Sequence, residues 1–214
     1  MIDLDTIRRR LGAHRPQLLD VRNRKQASVA LVLRRQRDML EMLFIERAQH
    51  GGDPWSGQMA FPGGRREIHD PDIRVAAERE TLEELDLVLA DAGALGRIDD
   101  LQGQSGGKPL GLVIACHAYI LDRPVTLSPN YEVQDYLWVP LPTLLDPANQ
   151  VMHPSPSHGG KPYPGIRVSD VPQHVVWGLT YRFVEAFFRA VGVSTGNPEI
   201  DGSTAGDPNP DSLE

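Results

Sequence analysis

Three glutamates, Glu80, Glu83 and Glu84, stand in the run Arg79-Glu80-Thr81-Leu82-Glu83-Glu84, which follows the loop Phe61-Pro62-Gly63-Gly64. Offsets of i, i+3 and i+4 fall on one side of an α-helix. Like charges there repel, so the arrangement stabilises nothing unless a cation accompanies it. Mg²⁺ takes carboxylate oxygens and shares its shell with substrate phosphates. The spacing therefore predicts a glycine loop feeding a helix that carries a platform for metal and phosphate. A glutamate run taken alone is most often a solvated helix face. The glycine loop in front of it shifts the balance. Asp70-Pro71-Asp72 predicts the start of this helix, with Asp70 or Asp72 capping free N–H groups and Pro71 in the first turn. Val75, Ala76, Leu82 and Leu85 are its expected apolar side.

Gly64, Asp70, Arg79, Glu80, Glu83, Glu84 and Leu87 fall on or next to the positions of the Nudix box, and the chain resembles the Nudix hydrolases. It departs from the box at four points. Gly64 to Arg79 is one residue longer, Asp70 replaces a glutamate, Thr81 replaces an apolar residue, and Asp86 replaces a late glycine. That glycine ends the helix in a left-handed conformation, which aspartate tolerates better than most residues. The longer spacing, Phe61-Pro62-Gly63-Gly64 and Trp177-Gly178-Leu179-Thr180 are similar to the coenzyme A pyrophosphatase branch. A second signature of that branch is met only in part by Leu43-Phe44-Ile45-Glu46-Arg47-Ala48, where Arg47 and Ala48 fit and Ile45 and Glu46 do not.

The resemblance covers residues 26–192 and implies an α/β fold, a Nudix-type α/β/α sandwich with a mixed sheet. Residues 1–25 are expected to be a helix and lead-in, and 193–214 a disordered acidic tail. Leu4, Ile7 and Leu11 share a face of the first helix, with Gly12 at its end. Ala27–Leu33 and Leu40–Arg47 form a hairpin, and Gln58–Phe61 is a short third strand. Gln102–Pro109 is a glycine-rich loop, Leu112–Leu121 and Glu132–Leu141 are strands, and 151–171 is a hairpin or a loop on the substrate side. Trp177 opens the last helix, which ends by Gly192. Trp55 is a packed anchor or a base-stacking platform.

Composition excludes several classes. The net charge is −7, but five acidic residues from Asn197 onward leave a body near −2. That balance does not suit nucleic acid. No apolar run approaches the roughly 20 residues that span a bilayer, and Met1-Ile2-Asp3-Leu4-Asp5 is no signal peptide. The single Cys116, inside an apolar run, reads as a buried thiol in a reducing cytoplasm. A homodimer stays open.

The resemblance implies hydrolysis of a diphosphate linked to another moiety, with Mg²⁺ or Mn²⁺ held by Glu80, Glu83 and Glu84. Glu83 or the distal Glu132 is the candidate base, and Arg79 is a structural partner of the carboxylates. Gly63 and Gly64 let the backbone approach the site. Arg65 and Arg66 are phosphate contacts or ordinary solvated arginines, and Arg47 is a further phosphate candidate. His153, His158 and His174 are alternative bases by chemistry alone. Coenzyme A or its thioesters are the expected substrates. ADP-ribose, other nucleoside diphosphate derivatives and nucleoside triphosphates are alternatives, as is a silent nucleotide-binding module.

Overall fold

Alternation along one central strand builds the molecule. In β1 (Lys25–Gln36), Leu31 and Leu33 enter one hydrophobic core, while Ala30 and Val32 enter another. A strand buried on both faces reads as the continuous apolar run seen in the sequence. The computed structural model describes residues 2–51, 55–89, 92–105, 108–154, 160 and 162–195. The acidic tail from Asn197, His158, Gly106 and Gly107 lie outside the described residues.

The main sheet adds β2 (Met39–Arg47), β3 (Met59–Ala60), β4 (Gly63–Arg65), β5 (Gly93–Ser105), β6 (Lys108–Leu121) and β7 (Val133–Pro140). Its path is β3-β2-β1-β6-β5, with β4 joined to β1 and β7 to β2. β1 and β6 are parallel and the other pairs antiparallel, so the sheet is mixed. The C-terminal half of β1 pairs with β2, and its N-terminal half pairs with β4. This change of partner admits the glycine loop into the sheet.

Helix α2 (Ile73–Leu85) covers the Ala30 and Val32 face through Ala77 and Leu85. Helices α1 (Leu4–Ala13), α3 (Leu141–Leu145) and α4 (Gly178–Ala190) cover the other face. The result is the expected α/β/α sandwich. A second sheet is formed within 150–177 by β8 (Gln150–Pro154), β9 (Pro162–Arg167) and β10 (Val175–Trp177). The hairpin-or-loop expectation for 151–171 stops short of this, because the three-residue β10 carries no alternation that marks it as a strand.

Several local expectations are corrected. The Gln102–Pro109 segment is largely strand: β5 and β6 remain paired at Gln102↔Val113 and Gln104↔Pro109. Gly103 serves packing, since a Cβ there would stand 3.2 Å from the Leu112 side chain. Asp72 alone caps α2, accepting from Arg74 and Val75 N–H at 2.8 and 3.1 Å, and Pro71 precedes the cap. The buried side of α2 is Ala76, Ala77, Thr81, Glu84 and Leu85, while Leu82 is exposed. Thr81 is tolerated because its hydroxyl donates to the Ala77 carbonyl at 2.7 Å.

Asp86 is left-handed at φ 55° and ψ 35° and closes α2 by donating its N–H to the Leu82 carbonyl at 2.9 Å. A side chain at such a φ costs on the order of 1 kcal/mol relative to glycine. Asp86→Gly therefore raises stability by roughly 0.5–1 kcal/mol in denaturant titrations; an unchanged or lower midpoint contradicts this.

His117 is buried beneath α2, with Nδ1 3.1 Å from Ser28 Oγ. Burial, then the charges of Arg97 and Arg74, lower its pKa to about 4. A depressed pKa means that stability is intact above the unfolded value near 6.5 and is lost as pH falls through 4. The loss reaches on the order of 3 kcal/mol. Replacing His117 with Gln flattens the stability profile between those pH values; an equally steep profile in the variant removes His117 as its cause.

Candidate active site

The glycine loop is pressed between β1 and α2. Gly63 has φ 144°, and a Cβ there would strike the Ser28 carbonyl oxygen and stand 2.6 Å from Val29 Cα. A Cβ on Gly64 would collide with the Glu80 carboxylate. Gly63 N–H donates to Glu84 Oε2 at 2.9 Å. The loop thus meets two of the three helix glutamates directly, and the small Ala76 and Ala77 let α2 lie close enough for that.

Arg79 ties the same region together. Its guanidinium donates to Asp70 at 3.1 and 3.2 Å, to Glu80 at 3.0 Å, to Glu83 at 3.3 Å and to the Arg65 carbonyl at 3.0 Å. Asp70 foremost, then Glu80 and Glu83, hold the arginine above its usual range against the opposing effect of burial. The same Arg79 bond holds Asp70 below the usual carboxylate range. Asp70 is therefore the anchor of Arg79 and not the helix cap, and only tertiary contact reveals that partner nine positions away.

The glutamates differ sharply in setting. Glu84 is 2% exposed. Burial pushes its pKa up to about 8, opposed by the Gly63 N–H and the charge of Arg47, and reinforced by Glu80 and Glu132. Burial raises Glu80 as well, against Arg79, with Glu83 and Glu132 adding to the rise. The Glu83 side chain is 55% exposed. Glu80 lies within electrostatic reach of Glu83, Glu84 and Glu132, and Glu84 within reach of Glu132.

Glu132 reaches this cluster because its loop is clamped to the end of α2. Ser128 and Asn130 N–H groups donate to the Leu85 and Glu84 carbonyls, each at 2.9 Å. Ala48 N–H donates to the Glu132 carbonyl at 2.8 Å. The Tyr131 hydroxyl bonds Glu132, which raises the phenol pKa; sequence reasoning passed over Tyr131, which carried no motif.

Among the described residues, no three acidic, histidine or cysteine side chains stand already arranged around a cation position. Arg79 engages Glu80 and Glu83, and Gly63 engages Glu84. The donor chemistry nonetheless fits a hard divalent cation. The side chains are carboxylates, and one is so buried beside others that it resists ionising. A cation reverses that penalty, at the cost of a released proton.

Beside the carboxylates opens a cavity of about 960 Å³. Gly63, Gly64, Arg65 and Arg47 line it, together with Trp55 and residues of the second sheet and α4. Arg66 instead binds the Asp70 and Pro71 carbonyls at 3.2 and 3.3 Å. His174 is buried, with Nδ1 2.8 Å from Ser169 Oγ and Nε2 3.2 Å from Glu46 Oε2. It fastens the segment before β10 to β2, which also gives the mismatched Glu46 a structural role. His153 stands against Trp177, apart from the carboxylates.

The NUDIX domain model matches residues 24–156. The chain belongs to the NUDIX domain family. This Nudix chain is 28% identical to the mitochondrial coenzyme A diphosphatase NUDT8 of Homo sapiens over 83% of its own length and 74% of that protein's. It is 37% identical to the uncharacterized protein C14C4.10c of Schizosaccharomyces pombe over 51% of its length, spanning only 34% of that protein. A MutT/nudix family protein from Enterococcus faecalis superposes with a TM-score of 0.52 at 15% identity, covering 89% of this chain and 70% of that one, a likeness of fold. Family members generally use divalent metal ions. Among the described residues no helix is long and apolar enough to cross a membrane.

Gly64→Ala drives a methyl group into the Glu80 carboxylate. Because a displacement of about 1 Å costs roughly 10²-fold, the variant keeps its circular dichroism spectrum and loses about that much kcat. Wild-type turnover in Gly64→Ala contradicts the packing argument.

Proposed function

We propose that the chain is a divalent-metal-dependent pyrophosphohydrolase acting on a nucleoside diphosphate derivative. Its substrate is coenzyme A or an acyl-coenzyme A, which yields 3′,5′-ADP and 4′-phosphopantetheine or its acyl form. The observation that carries the reaction class is the buried Glu84 carboxylate bonded to Gly63 N–H, with Glu80 packed against Gly64. The coenzyme A reading is supported by the human relative's name and by a cavity large enough for a bulky moiety beyond the diphosphate.

Glu80, Glu83 and Glu84 would hold Mg²⁺ or Mn²⁺, which when bound neutralises phosphate charge and lowers the pKa of a bound water. The chain's own groups do the rest. Gly63 and Gly64 bring backbone to the diphosphate without side-chain obstruction. Arg47 and Arg65, on the cavity wall, face phosphate charge. Arg79 holds the rotamers of Glu80 and Glu83 and takes no part in bond breaking. Water adds to one phosphorus, the bridging P–O bond breaks, and the leaving phosphate keeps the bond's electron pair. Of the two base candidates, Glu132 is favoured, because Arg79 already engages the Glu83 carboxylate. The buried Cys116, whose thiol is raised further by burial, has no chemical role and supports a reducing, cytoplasmic setting.

Mass spectrometry of products tests the reading. With Mg²⁺ or Mn²⁺, coenzyme A gives 3′,5′-ADP and 4′-phosphopantetheine, and chelation abolishes turnover. Cleavage of ADP-ribose or nucleoside triphosphates alone reassigns the substrate. No cleavage of any diphosphate leaves a silent binding module. Glu83→Gln and Glu84→Gln each lower kcat by orders of magnitude in a folded protein; unchanged rates in both overturn the site.

A further inference from the structure

The second sheet takes no part in the carboxylate site, yet it carries a row of aromatic rings, two of which, Tyr163 and Trp177, line the same cavity. His153 pairs with Tyr163 across β8 and β9, and Trp177 pairs with Gly165 across β9 and β10. Tyr163 lies two residues from Gly165, so the three rings share one face. The Trp177 ring centroid is 5.0 Å from that of His153, at 32°, and 6.3 Å from that of Tyr163, at 45°. Gly165 makes room for the row: a Cβ there would stand 2.9 Å from Val175 Cγ1 and 3.2 Å from Trp177 Cβ. Tyr163 and Trp177 line the cavity that Gly63 and Gly64 also line, and β10 packs on β3, the strand that leads into the glycine loop.

We propose that this face seats the base of the substrate's nucleotide, with Trp177 as the specificity-determining platform. The inference rests on the nucleotide reading above. A ligand whose diphosphate meets Gly63 and Gly64 must place a flanking moiety in the cavity, where the partly exposed Trp177 indole offers a flat apolar surface. A planar base covers that surface without losing internal freedom, whereas a flexible pantetheine arm must freeze several torsions to do so. Burial keeps His153 below the ordinary imidazole range, so a neutral ring backs the indole.

Binding to the metal-free full chain tests this separately from catalysis. Calorimetry with 3′,5′-ADP, and with 4′-phosphopantetheine and inorganic pyrophosphate as base-free probes, gives the affinities. Tryptophan fluorescence locates the contact. Trp177→Ala weakens 3′,5′-ADP binding about tenfold or more, leaves pyrophosphate binding as it was, and is checked for folding by circular dichroism. Trp177→Phe keeps most of the affinity but removes the quenching caused by 3′,5′-ADP. Tyr163→Ala is the second variant should Trp177→Ala fold poorly, and it too weakens the nucleotide selectively. The inference is overturned by wild-type affinity in Trp177→Ala, by quenching that persists in Trp177→Phe and disappears in Trp55→Phe, by an equal loss of 4′-phosphopantetheine binding, or by a folded chain that binds no adenine nucleotide. Selective loss of base binding in a chain that cleaves none of the diphosphates supports the platform while rejecting the proposed reaction.

Discussion

Gly63 and Gly64 are packed so closely against β1 and α2 that neither position has room for a Cβ. At Gly63 the obstacle is the β1 backbone, and at Gly64 it is the Glu80 carboxylate. This contact decides where the helix glutamates end up. It requires β1 to release β2 and accept β4, and it requires alanines on α2 where larger side chains would hold the helix away. The Gly63 N–H then meets Glu84, so the backbone of the loop fixes where that carboxylate lies.

The electrostatics follow from that packing. Forcing a carboxylate into the 2% exposed position of Glu84 costs solvation, and the structure offsets only part of it with one N–H and the charge of Arg47. Arg79 handles the opposite problem. It neutralises Glu80 and Glu83 while its own position is set by the buried Asp70. One glutamate is thus strained toward its neutral form and two are paired with an arginine. All three are states that a divalent cation can displace, and the fork to Asp70 keeps Arg79 in place when it does.

The sequence disclosed the parts of this scheme that depend on local spacing. The i, i+3, i+4 pattern placed the glutamates on one side of α2, the left-handed turn at Asp86 was anticipated from the missing glycine, and the hairpin of β1 and β2 followed from apolar runs. It misled where tertiary contact overrode the local pattern. Val75 and Leu82 read as part of the core side, but α2 turns Thr81 and Glu84 inward because it packs on the glycine loop as well as on the apolar face of the sheet. Local spacing leaves Asp70 and Asp72 equal as caps; Asp72 takes that role, and the arginine partner of Asp70 lies beyond local spacing. The row of His153, Tyr163 and Trp177 was invisible because three short strands separated in sequence supply one ring each.

The proposed reaction stands on Glu80, Glu83 and Glu84 as a divalent-cation site. Anomalous diffraction from crystals soaked in Mn²⁺ tests it most directly. The expected result is a manganese peak bounded by these three carboxylates. A peak held by other residues, or none at a Mn²⁺ concentration that supports turnover in solution, contradicts it.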